Sequence, residues 1–387
     1  MSITAETASQ YGLTLEQRDF LEVIRQMAVE KVAPRAAEID ETGEFPQDIR
    51  QLFADHDLFG LPFEEEYGGT GTGDLMLSAA IEEISKVCAS SALMLPAQDL
   101  SSLPIRLFGS DDLKQRWLPR MASGEILGAF ALSEPDAGSD PGAMRTRATK
   151  TEGGWLINGA KNWITNSGVA DVYVTFAVSD TEVKYSRGIT AFAVKADAEG
   201  FRIDALEHKM GMKGSPTGQP VYEDVFVPDE DVIGEVNNGF AVAMGTLDRS
   251  RLGIAAQAVG IAQGATDYAV AYAKDRMAFG KPINQLQGIQ FKLADMETKT
   301  AAARELLYRA ASMSENDEPG LGKYSAMAKL FASDVAMEVT VEAVQVLGGY
   351  GYVKEYPVER MMRDAKLTQI YEGTNEIQRV VIARTLQ

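Results

Sequence analysis

Two polar segments in the middle of the chain have residue types that could bind a ligand. Residues 130–140 read FALSEPDAGSD, where a predicted strand ends at Ser133 and a turn of small polar residues follows. This turn exposes hydroxyls and backbone N–H groups in a confined space, or it is a polar turn with no ligand. In residues 155–168, WLINGAKNWITNSG, strand alternation places Trp163 and Thr165 on one face. That face offers a ring for stacking and a hydroxyl for donation, unless Trp163 is a core residue.

Sulfur and imidazole side chains are too few for several kinds of chemistry. Cys88 is the only cysteine, and His56 and His208 are the only histidines. A disulfide framework and a Cys/His zinc site are therefore excluded, and no metal site is predicted. A hydrolase triad would depend on one of two isolated histidines, which makes that mechanism improbable.

The charge balance limits the partners. Among 387 residues, 37 Lys and Arg face 56 Asp and Glu, so the net charge is −19 at pH 7. This argues against DNA or RNA, which need clustered cations, but not against small phosphorylated ligands, which need only a few. The first twenty residues match neither a secretory nor an organellar signal, and no stretch approaches ~20 apolar residues. We therefore expect a cytoplasmic protein without membrane insertion.

Residues 13 to about 125 are predicted to be mainly helical. Apolar side chains recur there at roughly helical spacing, at Phe20, Ile24, Met27 and Val32. We expect this helix to begin at the N-cap Thr14 and to end at Pro34. A second helix should follow Asp74. The preceding EYGGTGTG partly fits a dinucleotide-binding fingerprint, but Asp74 takes the third glycine position, so we interpret it as a turn.

From about residue 126 to 240 the apolar period changes to two, which predicts a β domain. Alternation runs through DVYVTFAVSD, GITAFAVKA and PVYEDVFVPDEDVIG. The pair Asn158-Gly159 is the strongest hairpin signal in the chain, and it predicts a two-residue turn there.

The helical period returns after residue 239 and continues to the end. One stripe is formed by Phe331, Val335, Val339, Ala343 and Val346, and Gly348-Gly349 are expected to cap that helix. The fold class predicted from these zones is α+β. Its three domains are an N-terminal helical domain (1–125), a middle β domain (126–240) and a C-terminal helical bundle (241–387).

Six separated motifs together resemble the acyl-CoA dehydrogenase family over residues 15–387. They are FALSEPDAGSD, KNWITNSG, LDRSRLGIAAQAVGIAQG, DRMAFGKPI, EAVQVLGGYGY and MMRDAKLTQIYEGTNEIQR. The third and the sixth look most like the short-chain, butyryl-CoA branch. The family fold has a helical domain, a β-barrel or sandwich domain and a four-helix bundle, in the order read above from periodicity.

The resemblance implies an FAD enzyme, usually a homotetramer, that oxidises an acyl-CoA to the trans-2-enoyl-CoA. A base removes the α proton, a hydride passes from the β carbon to flavin N5, and electrons go on to electron-transfer flavoprotein. Glu372 matches the base position. In other branches the base precedes an arginine on an earlier helix, and that position here is Ser250. Without the flanking motif, Glu372 would be interpreted as a solvated loop carboxylate.

The resemblance also assigns the FAD contacts. The first flavin loop corresponds to Phe130, Leu132, Ser133, Gly138 and Ser139, and the segment against the isoalloxazine ring to Trp163, Ile164 and Thr165. Groups that reach the FAD of a neighbouring subunit correspond to Arg276, Phe279, Gln287, Gln345, Gly348 and Gly349. Thr374 and Glu376 complete that site.

Contacts to the acyl-CoA correspond to Ser139, Asp248, Arg249, Ser250, Arg251 and Gly373. Arg251 is expected to answer phosphate charge, whereas Arg249 could be solvated surface. The thioester carbonyl would be bound by the N–H of Glu372 and a flavin ribityl hydroxyl. Residues 90–100 contain no arginine to pair with a dicarboxylyl substrate, and Pro96 could kink the helix there and change the pocket depth.

Two alternatives remain open at this point. The first is an acyl-CoA oxidase, in which oxygen replaces the flavoprotein acceptor, although family oxidases are usually longer than this chain. The second is a non-catalytic scaffold that keeps flavin for stability and would be expected to lack the base. We expect a substrate of short to medium length, unbranched or lightly branched.

Overall fold

The N-terminal zone is helical in the computed structural model, which describes residues 11–183 and 185–387. Its helices are α1 (Leu15–Met27), α2 (Ala36–Thr42), α3 (Gln47–Asp55), α4 (Gly73–Ser85), α5 (Ala89–Ala92), α6 (Met94–Phe108) and α7 (Asp111–Ala122). Thr14 caps α1 as predicted, because its hydroxyl accepts from Gln17 N and the Gln17 side chain accepts from Thr14 N. The glycine-rich segment before α4 is a turn, as predicted, with Gly68, Gly71 and Gly73 at positive φ.

The prediction that Pro34 ends the first helical run is wrong. After α1 the chain forms a π turn over Ala28–Val32 and a 3-10 turn over Ala33–Arg35, and α2 follows directly. Proline cannot donate the N–H that the helix needs at this point. The change of turn type accommodates the missing bond, so the run changes its winding and continues.

The middle zone folds into a nine-stranded sheet. Its strands are β1 (Gly128–Ala131), β2 (Arg147–Thr151), β3 (Gly154–Ala160), β4 (Ile164–Thr165), β5 (Val172–Val178), β6 (Ile189–Lys195), β7 (Phe201–Leu206), β8 (Thr217–Pro228) and β9 (Val232–Ile233). The order is β4-β8-β3-β2-β5-β6-β9, with β1 parallel to β5 and β7 antiparallel to β8.

Strand β5 shows why this sheet lies between two cores. Val174 and Phe176 pack in a cluster with Trp117 of α7, whereas Tyr173 packs with Tyr222 of β8 in a core between the strands. The period of two therefore separates two buried faces rather than a buried face from a solvated one. This packing fixes β1, and with it the polar turn after β1, against the N-terminal helices.

Two local predictions in the β domain are wrong. Asn158-Gly159 is not a hairpin turn, because β3 runs through both residues and the turn between β2 and β3 lies at 152–153. The pair instead forms an irregularity in the β3–β8 register, where Gly159 has φ 146° and the Asn158 amide binds Asp224. Trp163 precedes β4 and has φ 62°, so strand alternation does not relate it to Thr165.

The C-terminal zone consists of long helices that pack on one another and on the N-terminal helices. They are α8 (Gly239–Asp275), α9 (Gln287–Glu315), α10 (Leu321–Leu347), α11 (Val358–Thr368) and α12 (Asn375–Arg384), with a hairpin of β10 (Met277–Ala278) and β11 (Lys281–Pro282) after α8. The predicted stripe on α10 is buried except at Phe331, which is 41% exposed because it lies beside the stripe. Gly348 caps α10 with φ 62°. No helix among the described residues is long and apolar enough to cross a membrane.

Candidate active site

Glu372 lies on the loop between α11 and α12, and it faces α8. Its Oε2 atom accepts a hydrogen bond of 2.6 Å from the Ser250 hydroxyl. Burial raises the pKa of Glu372 to about 7, while the Ser250 bond and the charges of Arg251 and Lys329 oppose that rise. The two positions that the resemblance assigns to a base, Glu372 and Ser250, therefore meet here, one as a carboxyl and the other as its hydrogen-bond donor.

The backbone that carries Glu372 has an unusual conformation. Glu372 has φ 50° and Gly373 has φ 88°, so two consecutive residues are left-handed. A residue with a Cβ pays for that conformation in steric strain, and the surrounding contacts must maintain it. Gln378 Nε2 donates to the carbonyls of Glu372 and Gly373 at 3.1 and 2.9 Å, and Lys329 Nζ donates to the Gly373 carbonyl at 2.8 Å.

The predicted CoA residues of α8 differ in accessibility. Arg251 is 4% exposed, and its guanidinium donates to Asp248 at 2.8 Å. Arg249 is partly exposed and binds Asp317 at 2.6 Å. An interior Arg251 acts on the charges around Glu372, so Arg249 is the cation of this pair that a phosphate in solvent can reach.

A second interior carboxyl, which sequence reasoning missed, belongs to Asp99 on α6. Its side chain is almost fully buried, and Arg106 donates to it at 3.1 Å. Burial raises the pKa of Asp99 to about 7, the charge of Arg106 lowers it, and the charges of Asp74 and Glu372 raise it further. The same interior thus holds two carboxyl groups that keep their protons more readily than carboxyls in water.

Residues 90–99 are buried and contain the start of α6. Pro96 is the third residue of that helix, so it fits the first turn, where the proline N–H is not needed. It packs on α8, because a Cβ placed at Gly253 would lie 2.7 Å from the Pro96 Cβ. The break between α5 and α6 precedes Pro96. Helices α6 and α8 pack closely where Pro96 meets Gly253.

The predicted flavin loop is held by an ion pair beneath it. The Lys161 ammonium is fully buried and donates to the Leu132 carbonyl at 3.1 Å and to Glu134 at 2.8 Å. The Glu134 carboxylate also accepts from backbone N–H groups after the loop, at Arg145 and Thr146. The backbone N–H of Asn162 donates to the Ser133 carbonyl at 2.9 Å, which joins the two predicted flavin segments.

The exposed groups of this loop and of the neighbouring Trp163 segment suit a flat aromatic cofactor. Trp163 is 59% exposed although it is a large ring, and the exposed Gly138 has no atom within 4 Å of a Cβ placed on it. Other predicted groups here are the exposed Ser139, the half-buried Ser133, Thr165 and Phe130, and the buried Leu132 and Ile164. An exposed ring beside hydroxyls suits stacking and hydrogen bonding to FAD.

The second predicted FAD group lines a groove where α8 ends against the end of α10. The groove has a volume of about 620 Å³, and its lining includes Arg276, Gly348, Gly349 and Tyr350. The guanidinium of Arg276 lies 5.3 Å from the centroid of the Tyr350 ring. No carboxylate of the described residues forms an ion pair with Arg276, so its charge is available to an anion. Phe279, Gln287 and Gln345 are also exposed, whereas Thr374 caps α12 beside Glu376 near the base.

Arg276 lies about 37 Å beyond Arg251 along α8, at a rise of 1.5 Å per residue. The structure thus brings Glu372, Gly373, Ser250 and Arg251 together, and it places the Arg276 groove far from them. The interior group also contains Lys329, which the sequence reasoning missed. A lysine on the apolar stripe of α10, between the buried Ala328 and Ala332, was the signal that could have found it.

Comparisons with known proteins point to one family over almost the whole chain. The family models "Acyl-CoA dehydrogenase, N-terminal domain", "middle domain" and "C-terminal domain" match residues 14–125, 129–225 and 237–387. Cyclohex-1-ene-1-carbonyl-CoA dehydrogenase of Geobacter metallireducens is 49% identical over 97% of this chain and 98% of its own length.

Two solved structures are also similar over almost the whole chain. Butyryl-CoA dehydrogenase of Megasphaera elsdenii has a TM-score of 0.94 and 45% identity, covering 97% of this chain and 99% of that one. A chain in the structure of the electron transferring flavoprotein of Acidaminococcus fermentans has a TM-score of 0.95 and 43% identity, covering 97% and 98%.

Proposed function

Because this chain belongs to the acyl-CoA dehydrogenase family of FAD-dependent oxidoreductases, we propose that it converts a short- to medium-chain acyl-CoA to the trans-2-enoyl-CoA. The observation that carries this proposal is the setting of Glu372. Its carboxyl is half-buried, has a pKa raised to about 7 by burial and receives a hydrogen bond from Ser250. A base with a pKa near the working pH is effective in proton transfer.

Glu372 takes the α proton in this proposal. The Ser250 hydroxyl fixes the direction of one carboxyl oxygen, which leaves the other oxygen to accept the proton. The N–H of Glu372 is assigned to the thioester carbonyl, where negative charge develops as the proton leaves. The Gly373 carbonyl points to Lys329 and Gln378, which keeps the turn in the conformation that presents both groups.

The cofactor is assigned to two surfaces of the protein. Trp163, Thr165 and the turn from Ser133 to Ser139 would hold the isoalloxazine ring, and bound FAD supplies the acceptor for the hydride from the β carbon. The groove with Arg276 and Gly349 would hold the pyrophosphate of FAD bound mainly by a neighbouring subunit, because a guanidinium pairs well with phosphate oxygens. A homotetramer is therefore part of the proposal.

Electron-transfer flavoprotein is the proposed electron acceptor. The similarity to a chain in the A. fermentans structure supports it. The purified enzyme also tests the oxidase alternative, since an oxidase turns over with oxygen alone and produces peroxide. Rapid turnover with oxygen and none with the flavoprotein would show that oxygen is the electron acceptor.

Substrate size is proposed from the interior around α6. A buried acyl tail gains about 0.8 kcal/mol per methylene, until a closed pocket end replaces that gain with overpacking. A dicarboxylyl tail would meet no cation within residues 90–100 and would share the interior with Asp99. Its carboxylate would be buried without a partner, which costs several kcal/mol.

A screen of acyl-CoA thioesters tests this function. We would measure kcat/KM with an artificial electron acceptor for unbranched chains of four to sixteen carbons, branched acyl-CoAs, glutaryl-CoA and cyclohex-1-ene-1-carbonyl-CoA. We expect rates to rise with length and then fall abruptly, with glutaryl-CoA poor. A best substrate of sixteen carbons would contradict the size proposal and leave the reaction class intact.

A cyclic acyl-CoA is the second candidate substrate. The 49% identity to the cyclohex-1-ene-1-carbonyl-CoA dehydrogenase of G. metallireducens favours it. The screen separates the two candidates, since a preference for the cyclic thioester over butyryl-CoA by tenfold or more would select it.

A further inference from the structure

Lys329 is a fully buried lysine in the middle of α10, directly beneath the loop that carries Glu372. Its ammonium donates to the Gly373 carbonyl at 2.8 Å and to Asn375 Oδ1 at 2.9 Å. Asn375 is itself held by Ser333, whose hydroxyl contacts it at 2.9 Å. A charged side chain is costly to bury, so directed bonds to the loop and to the first residue of α12 indicate a role in holding that loop.

Charged groups face Lys329 from each element around it. They are Arg251 on α8, Asp334 on α10, Glu372 on the loop and Glu376 on α12. Burial lowers the pKa of Lys329 to about 7, Arg251 lowers it further, and the three carboxylates raise it. Glu372 in turn faces Ser250 and Arg251 on α8, Lys329 on α10 and Asp99 on α6. Lys329 and Glu372 therefore titrate as interacting groups in one pH range.

We propose that Lys329 is a positioning residue, which holds the Glu372–Gly373 turn through the Gly373 carbonyl and places a positive charge beneath the loop of the base. The inference rests on the proposed role of Glu372. A positive charge near a carboxyl favours its ionised form, so removal of that charge must raise the pKa of Glu372. The effect belongs to the acidic side of the pH profile, where Lys329 keeps its proton.

Gln378 provides a matched comparison within the same loop. Its amide donates to the carbonyls of both Glu372 and Gly373, as Lys329 does to one of them, but it has no charge. Gln378→Met removes hydrogen bonds from the turn without removing a charge. Lys329→Met removes both the bonds and the charge, whereas Lys329→Gln removes the charge and keeps an amide donor in place of the ammonium.

The experiment uses the FAD-loaded enzyme and its best acyl-CoA substrate. We would measure kcat/KM from pH 5.5 to 9.5 for wild type and the three variants. Exchange of the α hydrogen for deuterium in D2O, followed by mass spectrometry, reports proton removal without turnover. Flavin content and Tm at each pH show whether the variants keep their fold, and Lys329→Gln carries the comparison if Lys329→Met does not fold.

The ascending limb should move up by about one pH unit in both Lys329 variants and stay in place in Gln378→Met. One unit corresponds to a tenfold lower kcat/KM near pH 6. Loosening of the loop should lower kcat/KM by the same factor at every pH. After correction for that factor, the values near pH 9 should approach those of wild type. Deuterium exchange should move by the same amount. An unchanged profile in both Lys329 variants, or an equal shift in Gln378→Met, would overturn the inference. An inactive wild type would refute the proposed function instead.

Discussion

Glu372 and Arg276 lie in the same helical domain, and their surroundings differ in kind. Around Glu372, Ser250 donates to the carboxyl, and Lys329 and Gln378 donate to the loop backbone of the same chain. Around Arg276, the side chains open to solvent, and Phe279 nearby is 92% exposed. The groups around Glu372 are held by contacts within the chain, whereas those around Arg276 face solvent.

This difference separates two requirements of the proposed function. Proton removal is proposed to depend on the partial burial of Glu372, which helices of the same chain supply. Cofactor retention is proposed to depend on a second copy that covers the groove of Arg276. Changes at the two places should therefore have different signatures, and the following variants test that separation.

The largest effect is expected for Glu372→Gln, which removes the base and keeps the shape of the side chain. Turnover should fall by at least ~10²–10⁴, the usual contribution of a positioned proton acceptor. Stopped-flow reduction of the bound flavin by an active acyl-CoA measures it, and flavin content should stay at the wild-type level. Glu355→Gln, at an exposed glutamate, is the control. Flavin reduction at the wild-type rate would place the base elsewhere, with Asp248 the next residue to test.

Arg276→Ala should leave the interior site intact and weaken FAD retention. Hydrogen bonds to charged groups contribute about 1.5–3 kcal/mol, so the Kd for FAD should rise by roughly ten- to a hundredfold. Flavin absorbance after gel filtration measures the retention, and circular dichroism should show unchanged helix content. Lys274→Ala, which removes an exposed charge from the last turn of α8, is the control. A stable monomer that keeps full FAD occupancy would contradict the assignment to a neighbouring subunit.

A smaller effect is expected for Gly349→Ala, which sharpens the comparison. Within one chain no atom lies within 4 Å of the added Cβ, so the fold of the chain should tolerate it. A covered groove has no such space, and the extra methyl should lower FAD affinity by about fivefold, or roughly 1 kcal/mol. Light scattering and flavin content measure the effect. Wild-type values for both would mean that nothing approaches Gly349 closely.

The smallest effect is expected for Ser250→Ala. The hydroxyl favours the ionised carboxyl, so its loss should raise the pKa of Glu372. The base works when it has lost its proton, and kcat/KM should therefore fall about threefold on the acidic side and recover above the shifted pKa. A pH profile of kcat/KM checks the direction. A shift to lower pH would mean that the hydroxyl stabilises the protonated carboxyl.

Sequence patterns predicted the larger elements, and they failed where local geometry depends on distant partners. The N-cap at Thr14 is a local signal, and it was sufficient. Asn158-Gly159 is a strong turn signal, yet β8 pairs with both sides of it and draws it into a strand. Trp163 was placed on a strand because alternation cannot show that its φ is positive. At Asn158-Gly159 tertiary pairing overrode a local preference.

The candidate site shows the same division. Glu372 was identified by a motif that surrounds it in the sequence. Lys329 and Asp99 lie in α10 and α6, far along the chain from Glu372, and only the packing of the helices brings their charges to it. The buried stripe of α10 could have indicated Lys329 as an interior lysine, but its partner could not be read from spacing.

The exposed ring of Phe279, at the tip of the β10–β11 hairpin, extends the proposed subunit contact to a dependence on protein concentration. If a second copy covers the groove and this hairpin, association obeys mass action, and a bound partner stabilises what it binds. Specific activity should then fall when the enzyme is stored at nanomolar concentration without added FAD. Concentrated stocks would keep their cofactor, and excess FAD in the dilution buffer would preserve the activity.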